Sequence, residues 1–211
     1  RMVVAEQLAS YSATAKDKSE LEQLFEEYLN IQSLHLDMPS VLTQLGNFWW
    51  KRKNFPNAKK AFLKAIELNP IASAPRVNLA DLYREIGDDL EARKMLELGI
   101  IKNPDDSALW FSLGLLEIRE RNSTKGLEAL RKAANHEKPA GYFQYVYAIA
   151  LQDQGHTEEA IALLQAANRS EPGQPRVLSA LIQYSAAAGN TEDTERYQAQ
   201  LKMTLQAAGI K

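Results

Sequence analysis

Apolar residues recur along this chain at helical spacing, and the pattern itself returns every 34 residues. Within Pro39–Pro70, Leu42, Leu45, Gly46 and Trp49 lie three, four and seven apart, which is one face of a helix. Ala58, Phe62, Ala65 and Ile66 make a second such face. The marker pair Leu45-Gly46 returns as Leu79-Ala80, Leu113-Gly114, Tyr147-Ala148 and Leu181-Ile182, a large residue followed by a small one until the last. Ala58 returns as Ala92, Gly126, Ala160 and Thr194, and Ala65 as Gly99, Ala133, Ala167 and Leu201. Phe62 returns as Leu96, Leu130, Leu164 and Gln198. A fixed period without insertions marks a repeat architecture. The expected units are 39–72, 73–106, 107–140, 141–174 and 175–208.

Each unit reads as two helices and a turn. Small residues such as Gly46, Ala58 and Ala65 let the two backbones approach closely. Gly87, Gly155 and Gly189 share one place in the turn, where a helix ends in left-handed geometry. The next residue is Asn54, Asp88, Asn122, His156 or Asn190. Pro56 suits a first helical turn, Ser123 and Thr157 read as N-caps, and Pro70, Pro104 and Pro172 stop the second helices. First helices are expected over about 40–53, 73–86, 107–120, 140–154 and 175–188. Second helices are expected over about 56–69, 89–102, 123–136, 157–170 and 191–207. Upstream, residues 3–15 and 19–32 read as two more helices, with Asp17 and Glu20 as a capping box. Tyr11 lies one period before Leu45, so this pair over 1–38 is either a decayed unit or, as favoured here, a cap over the first true one.

Leu45-Gly46, Trp49, Ala58, Phe62, Ala65 and Pro70, with their later equivalents, resemble the tetratricopeptide repeat family over residues 39–208. Glu117, Gly126, Lys138, Ser185, Thr194 and Gln198 depart from the pattern. The resemblance implies an all-α, right-handed superhelix, an α-solenoid whose first helices line a concave groove. Residues one turn off the packing face would then point inward. In the first two units these are Thr43, Asn47, Trp50 and Lys51, then Asn78, Asp81, Arg84 and Glu85. The third and fourth supply Ala108, Phe111, Ser112, Leu115 and Arg119, then Tyr142, Tyr145, Ile149 and Gln152; the fifth supplies Arg176, Ser179 and Gln183. Asn47 and Asn78 match asparagines that hold a ligand backbone in peptide-binding members, since an amide both donates and accepts. Phe111, Leu115, Tyr142, Tyr145 and Ile149 would form an apolar, aromatic patch, unless they pack beneath a neighbouring helix. Trp49 and Trp110 fall on core positions. The family's carboxylate clamp needs basic residues where Thr43, Ala108 and Ser112 stand, so capture of a chaperone C-terminus is not expected. Residues 77–96 and 145–165 also resemble the C-terminal repeat modules of bacterial multihaem cytochrome c-type proteins. That resemblance implies a periplasmic parent, with any haem part before Arg1, and the opening at Arg1 itself suggests a piece of something longer.

Composition then removes alternatives. A net charge of −2 gives no electrostatic case for nucleic acid. With no Cys there is no disulfide, thiolate metal site or covalent haem attachment within this sequence. No apolar run approaches the ~20 residues of a membrane span, and no signal peptide is visible. His35, His136 and His156 lie far apart near helix ends, without ligand spacing. Asp88-Asp89, Asp105-Asp106 and Glu158-Glu159 sit at helix starts, where they favour the positive end of the dipole. The expectation is a non-enzyme without cofactor or metal that binds a protein or peptide partner. Two rivals are a module of a larger redox protein and a homodimer formed through the aromatic patch.

Overall fold

The computed structural model describes residues 38–135 and 141–209, and the described secondary structure is ten helices. They are α1 (Met38–Lys51), α2 (Phe55–Leu68), α3 (Ala74–Glu85), α4 (Asp89–Lys102), α5 (Ser107–Arg119), α6 (Ser123–Ala134), α7 (Gly141–Asp153), α8 (Thr157–Ser170), α9 (Pro175–Ala187) and α10 (Thr191–Ala207). The helical pair expected over 1–38 lies outside the described residues, except for the start of α1. The chain divides between Lys102 and Asn103 into two compact bodies. Hairpins α1–α2 and α3–α4 form the first; α5–α6, α7–α8 and α9–α10 form the second.

One turn geometry joins the helices of every hairpin. The backbone N–H of Asn54, Asp88, Asn122, His156 and Asn190 donates to the carbonyl of Trp49, Tyr83, Glu117, Leu151 and Ser185 respectively, at 2.8–3.0 Å. This closes each first helix with the residue before the donor in left-handed geometry. Gly87, Gly155 and Gly189 take that place at φ 82, 84 and 74°, but Lys53 and Arg121 hold it at φ 59 and 63°. The next helix then starts on the polar residue itself. Asn54 and Asn190 accept from Asn57 N and Asp193 N, whereas Asn122 and His156 stand at the caps of α6 and α8 without a side-chain capping hydrogen bond. Ser123 and Thr157, expected as caps, are the first helical residues, one place later. Pro56 lies in the first turn of α2, while α2, α4 and α8 end two residues before Pro70, Pro104 and Pro172.

The repeating apolar positions meet in the middle of each body. In the first, Leu42, Trp49, Ala58, Phe62, Ala65, Leu79 and Leu96 are buried. Full burial of Phe62 alone is worth about 1.5–3 kcal/mol. Ala148, Leu151, Leu164, Val177, Leu178 and Leu181 form one cluster of the second. The place held by Trp49 passes to Glu117 and Ser185, which are also buried. Glu117 accepts from Asn122 Nδ2 at 2.9 Å, so the turn residue satisfies one oxygen of the polar exception, whereas Ser185 Oγ is buried without a hydrogen bond among the described residues. Arg76 pins α3 to the preceding link: its guanidinium donates to Pro70 O at 2.9 Å, and burial lowers its pKa.

Candidate protein-interaction surface

In the first body, α1 and α3 are the leading helices of consecutive hairpins and lie against each other. Asn78 Nδ2 donates to Asn47 Oδ1 across this seam at 2.8 Å. The pair keeps Asn47 Nδ2 as donor and Asn78 Oδ1 as acceptor, the complement of one peptide unit. Further along α3, Arg84 pairs with Asp81 at 2.7 Å. Burial raises the Asp81 pKa, and the Arg84 charge offsets part of that rise. Trp50 is fixed rather than free. Its Nε1 donates to Glu85 Oε2 at 2.5 Å, and its ring meets Phe62 edge-on at 6.5 Å. Glu85 also binds Lys53, and hydrogen bonds from Lys53 and Trp50 hold its pKa below the ordinary glutamate value. Asn47, Trp50, Asn78, Asp81 and Arg84 thus lie along one seam, while Lys51 is exposed at the end of α1. Sequence reasoning missed Lys53; its position in the left-handed turn was the available signal.

The second body carries the aromatic residues. Tyr142, at the start of α7, is 48% exposed. Tyr145 lies one turn on, half-buried, its ring 6.5 Å from that of Tyr142 and nearly parallel to it. The Arg176 guanidinium from α9 lies 5.4 Å from the Tyr142 ring. Phe111 does not stand on an open wall as expected. It is 8% exposed, stacked on Phe143 at 4.3 Å and 5.6 Å from Tyr142. The bulky start of α7 covers it, so Phe111 is the floor on which Tyr142 rests. Phe143 went unnoticed, although it repeats the core position of Leu109. Leu115 and Ile149 are half-buried and pack against two different core clusters. Of the two tryptophans expected in the core, Trp49 is there at 1% exposure. Trp110 is only half-buried: its Nε1 donates to Pro104 O at 2.7 Å, and Lys132 Nζ sits 4.0 Å from its ring. A small cavity of about 200 Å³ adjoins Tyr142, lined also by Gly141, Glu171, Gln174 and Arg176. A Cβ on Gly141 would come within 3.1 Å of the Glu171 carboxylate.

Among the described residues, no cluster of three or more His, Asp or Glu could hold a metal ion, and no helix is long and apolar enough to cross a membrane. Helical hairpins of constant period, closed by one turn and packed through small residues, define a helical-repeat protein. A family model described as tetratricopeptide repeat matches residues 50–114. The chain is 29% identical over 102 residues to the anaphase-promoting complex subunit CDC16 of Saccharomyces cerevisiae, covering 45% of this chain and 12% of that protein. It is 27% identical over 130 residues to Hsp70-Hsp90 organizing protein 1 of Glycine max, covering 62% and 22%. It therefore spans less than a quarter of the length of these curated relatives. Among solved structures, MamA superposes with a TM-score of 0.66 at 15% identity, covering 83% of this chain and 99% of that one. Pseudomonas aeruginosa pilF gives 0.68 at 14%, covering 80% and 77%. Residues 50–114 thus match the tetratricopeptide-repeat family, and the chain shares the all-α fold of these solved structures. These matches lend no support to the multihaem cytochrome resemblance.

Proposed function

We propose that this chain is a binding scaffold rather than a catalyst, and that its leading helices receive a peptide segment or helix of a protein partner. The observation that carries this reading is the exposed Tyr142, seated on Phe111 and flanked by Tyr145 and Arg176. A tyrosine held rigid from below gives contact area at low entropic cost, and tyrosine and arginine are the residues enriched where binding energy concentrates. Arg176 makes no ion pair among the described residues, so its charge is available to a partner. In the first body, the Asn47–Asn78 pair offers its leftover donor and acceptor to a ligand backbone. Trp50 bridges that seam to Glu85, Asp81 and Arg84 pair along α3, and exposed Lys51 lies at its end.

A peptide-array screen with the chain and its Asn78→Ala and Tyr145→Ala variants tests the reading. Peptides that bind should lose about five- to thirtyfold in affinity with at least one variant. If both variants retain every hit unchanged, the leading helices are not the binding surface. The same aromatic patch could instead join two copies of the chain. Sedimentation at two concentrations separates that reading, because a patch buried in a dimer leaves no concentration-independent monomer.

A further inference from the structure

The outer face of α4 differs from that of the other second helices. Leu90 is 75% exposed and Ile101 73%, with Lys94 and Glu97 exposed between them. The four lie four, three and four places apart, the spacing of a coiled-coil seam, on the side opposite buried Ala92, Leu96 and Gly99. Stacking within the repeat does not cover such places. Inside the bodies, α3 packs on α2, α7 on α6 and α9 on α8. Yet Pro56, Thr124 and Glu158, in the place of Leu90, stay exposed, as do Glu67, Asn135 and Arg169 in the place of Ile101. Another hairpin packed in the same way leaves this face open. Of these four helices, α4 is the one with large apolar residues at both ends of it.

We propose that α4 joins two copies of the chain as an antiparallel helix pair about a two-fold axis. The pattern is its own complement. Leu90 and Ile101, and likewise Lys94 and Glu97, share one midpoint, between Met95 and Leu96. An antiparallel copy centred there sets Leu90 level with the copy's Ile101 and Lys94 level with the copy's Glu97, each pairing made twice. Glu97 makes no ion pair among the described residues. Lys94 holds Glu91 of its own helix at 3.2 Å, but an exposed pair of this kind is worth little, so Lys94 can turn to the copy. The chain's own undescribed residues do not carry the complement. Matching Lys94 and Glu97 takes a base and an acid three places apart on the covering helix. Within residues 1–37, Arg1, Lys16 and Lys18 have no Asp or Glu three places away on either side. Residues 136–140 and 210–211 are too short for the roughly three turns from Leu90 to Ile101. This face shares no residue with the surface proposed above, so the two readings stand or fall separately.

Sedimentation equilibrium of the 211-residue chain over about 5–500 µM reads the association. A single helix contact belongs to the weak class of interfaces, so half-dimerisation is expected at about 10–100 µM. Leu90→Ser should weaken it about tenfold or more, since each dimer loses the side chain twice. Lys94→Glu alone and Glu97→Lys alone set like charges level, and each should weaken it about tenfold. An equimolar mixture of those two variants should restore it, because every charge then meets its opposite across the two chains. Tyr142→Ala should leave it unchanged. A chain that stays monomeric throughout, association indifferent to Lys94→Glu, or a mixture no more associated than its components would overturn the proposal. So would a dimer lost with Tyr142→Ala and kept with Leu90→Ser, since it assigns the pairing to the aromatic patch. Pairing that vanishes in a form extended beyond either end would assign the face to the added residues and overturn it as well.

Discussion

The close approach of α1 and α2 rests on Gly46, and replacing it with Ala measures that approach. A Cβ built on Gly46 would lie 2.3, 2.5 and 2.8 Å from three ring carbons of Phe62. Phe62 is fully buried and meets the Trp50 ring edge-on, so it has little room to yield. Overpacking of this kind costs about 1–3 kcal/mol. Ala in place of Gly inside a helix returns about 1 kcal/mol. The net expectation for Gly46→Ala is a loss of about 1 kcal/mol from the first body, the middle of a range of about 0–2 kcal/mol. The sign should reverse in a Phe62→Leu background. The second and fourth repeats already carry that pairing, Ala80 with Leu96 and Ala148 with Leu164. There the same substitution should gain about 0.5–1 kcal/mol, giving a coupling of about 2 kcal/mol in the double-mutant cycle. Urea denaturation in a Trp110→Phe background reads the first body, because Trp49 and Trp50 then supply the tryptophan signal. Equal losses in both backgrounds, or a gain in the unmodified one, would refute the claim that Phe62 requires a glycine there.

Arg121→Gly relieves a left-handed non-glycine residue at φ 63° and should stabilise the second body by about 0.5–1 kcal/mol in urea denaturation. Asp106 accepts from Ala108 N at 2.9 Å and Leu109 N at 3.1 Å, so Asp106→Ala should cost about 1 kcal/mol by the same assay. Ser185→Ala removes a buried hydroxyl without a hydrogen bond and should stabilise by about 1 kcal/mol. Burial raises the Asp81 pKa above its unfolded value, so the folded state takes up this proton first as pH falls. Asp81 therefore adds stability as pH drops from its folded pKa toward the ordinary aspartate range, and Asp81→Asn should erase that gain. Carbon-detected NMR titration should also show the Asp81 midpoint moving further up in Arg84→Ala, which removes the offsetting charge.

Much of the fold was legible because one geometry repeats. The period located all ten described helices to within a few residues, since each hairpin reuses one turn and one set of small contact positions. Lys53 and Arg121 were readable as left-handed only through their alignment with Gly87, Gly155 and Gly189, because nothing in a lysine or an arginine announces that conformation. Phe111 and Trp110 show where periodicity stops informing. A period places a residue on a helix face but does not say how far a neighbour's side chains extend over it. Phe111 is covered because α7 opens with Tyr142 and Phe143, and Trp110 reaches the surface because Lys132 and Pro104 O give its ring and indole N–H partners there. Likewise, Asn47 and Asn78 could be named from the sequence, but their hydrogen bond to each other is a fact of the α1–α3 packing.

The most direct test of the scaffold reading is an NMR map of the chain bound to its tightest peptide from the screen. The account predicts the largest amide and side-chain shifts at Tyr142, Tyr145 and Arg176, at the Asn47–Asn78 pair, or at both. Shifts centred instead on the exposed second-helix residues Leu90, Leu98 and Ile101, with Tyr142 and Asn78 unmoved, would contradict it.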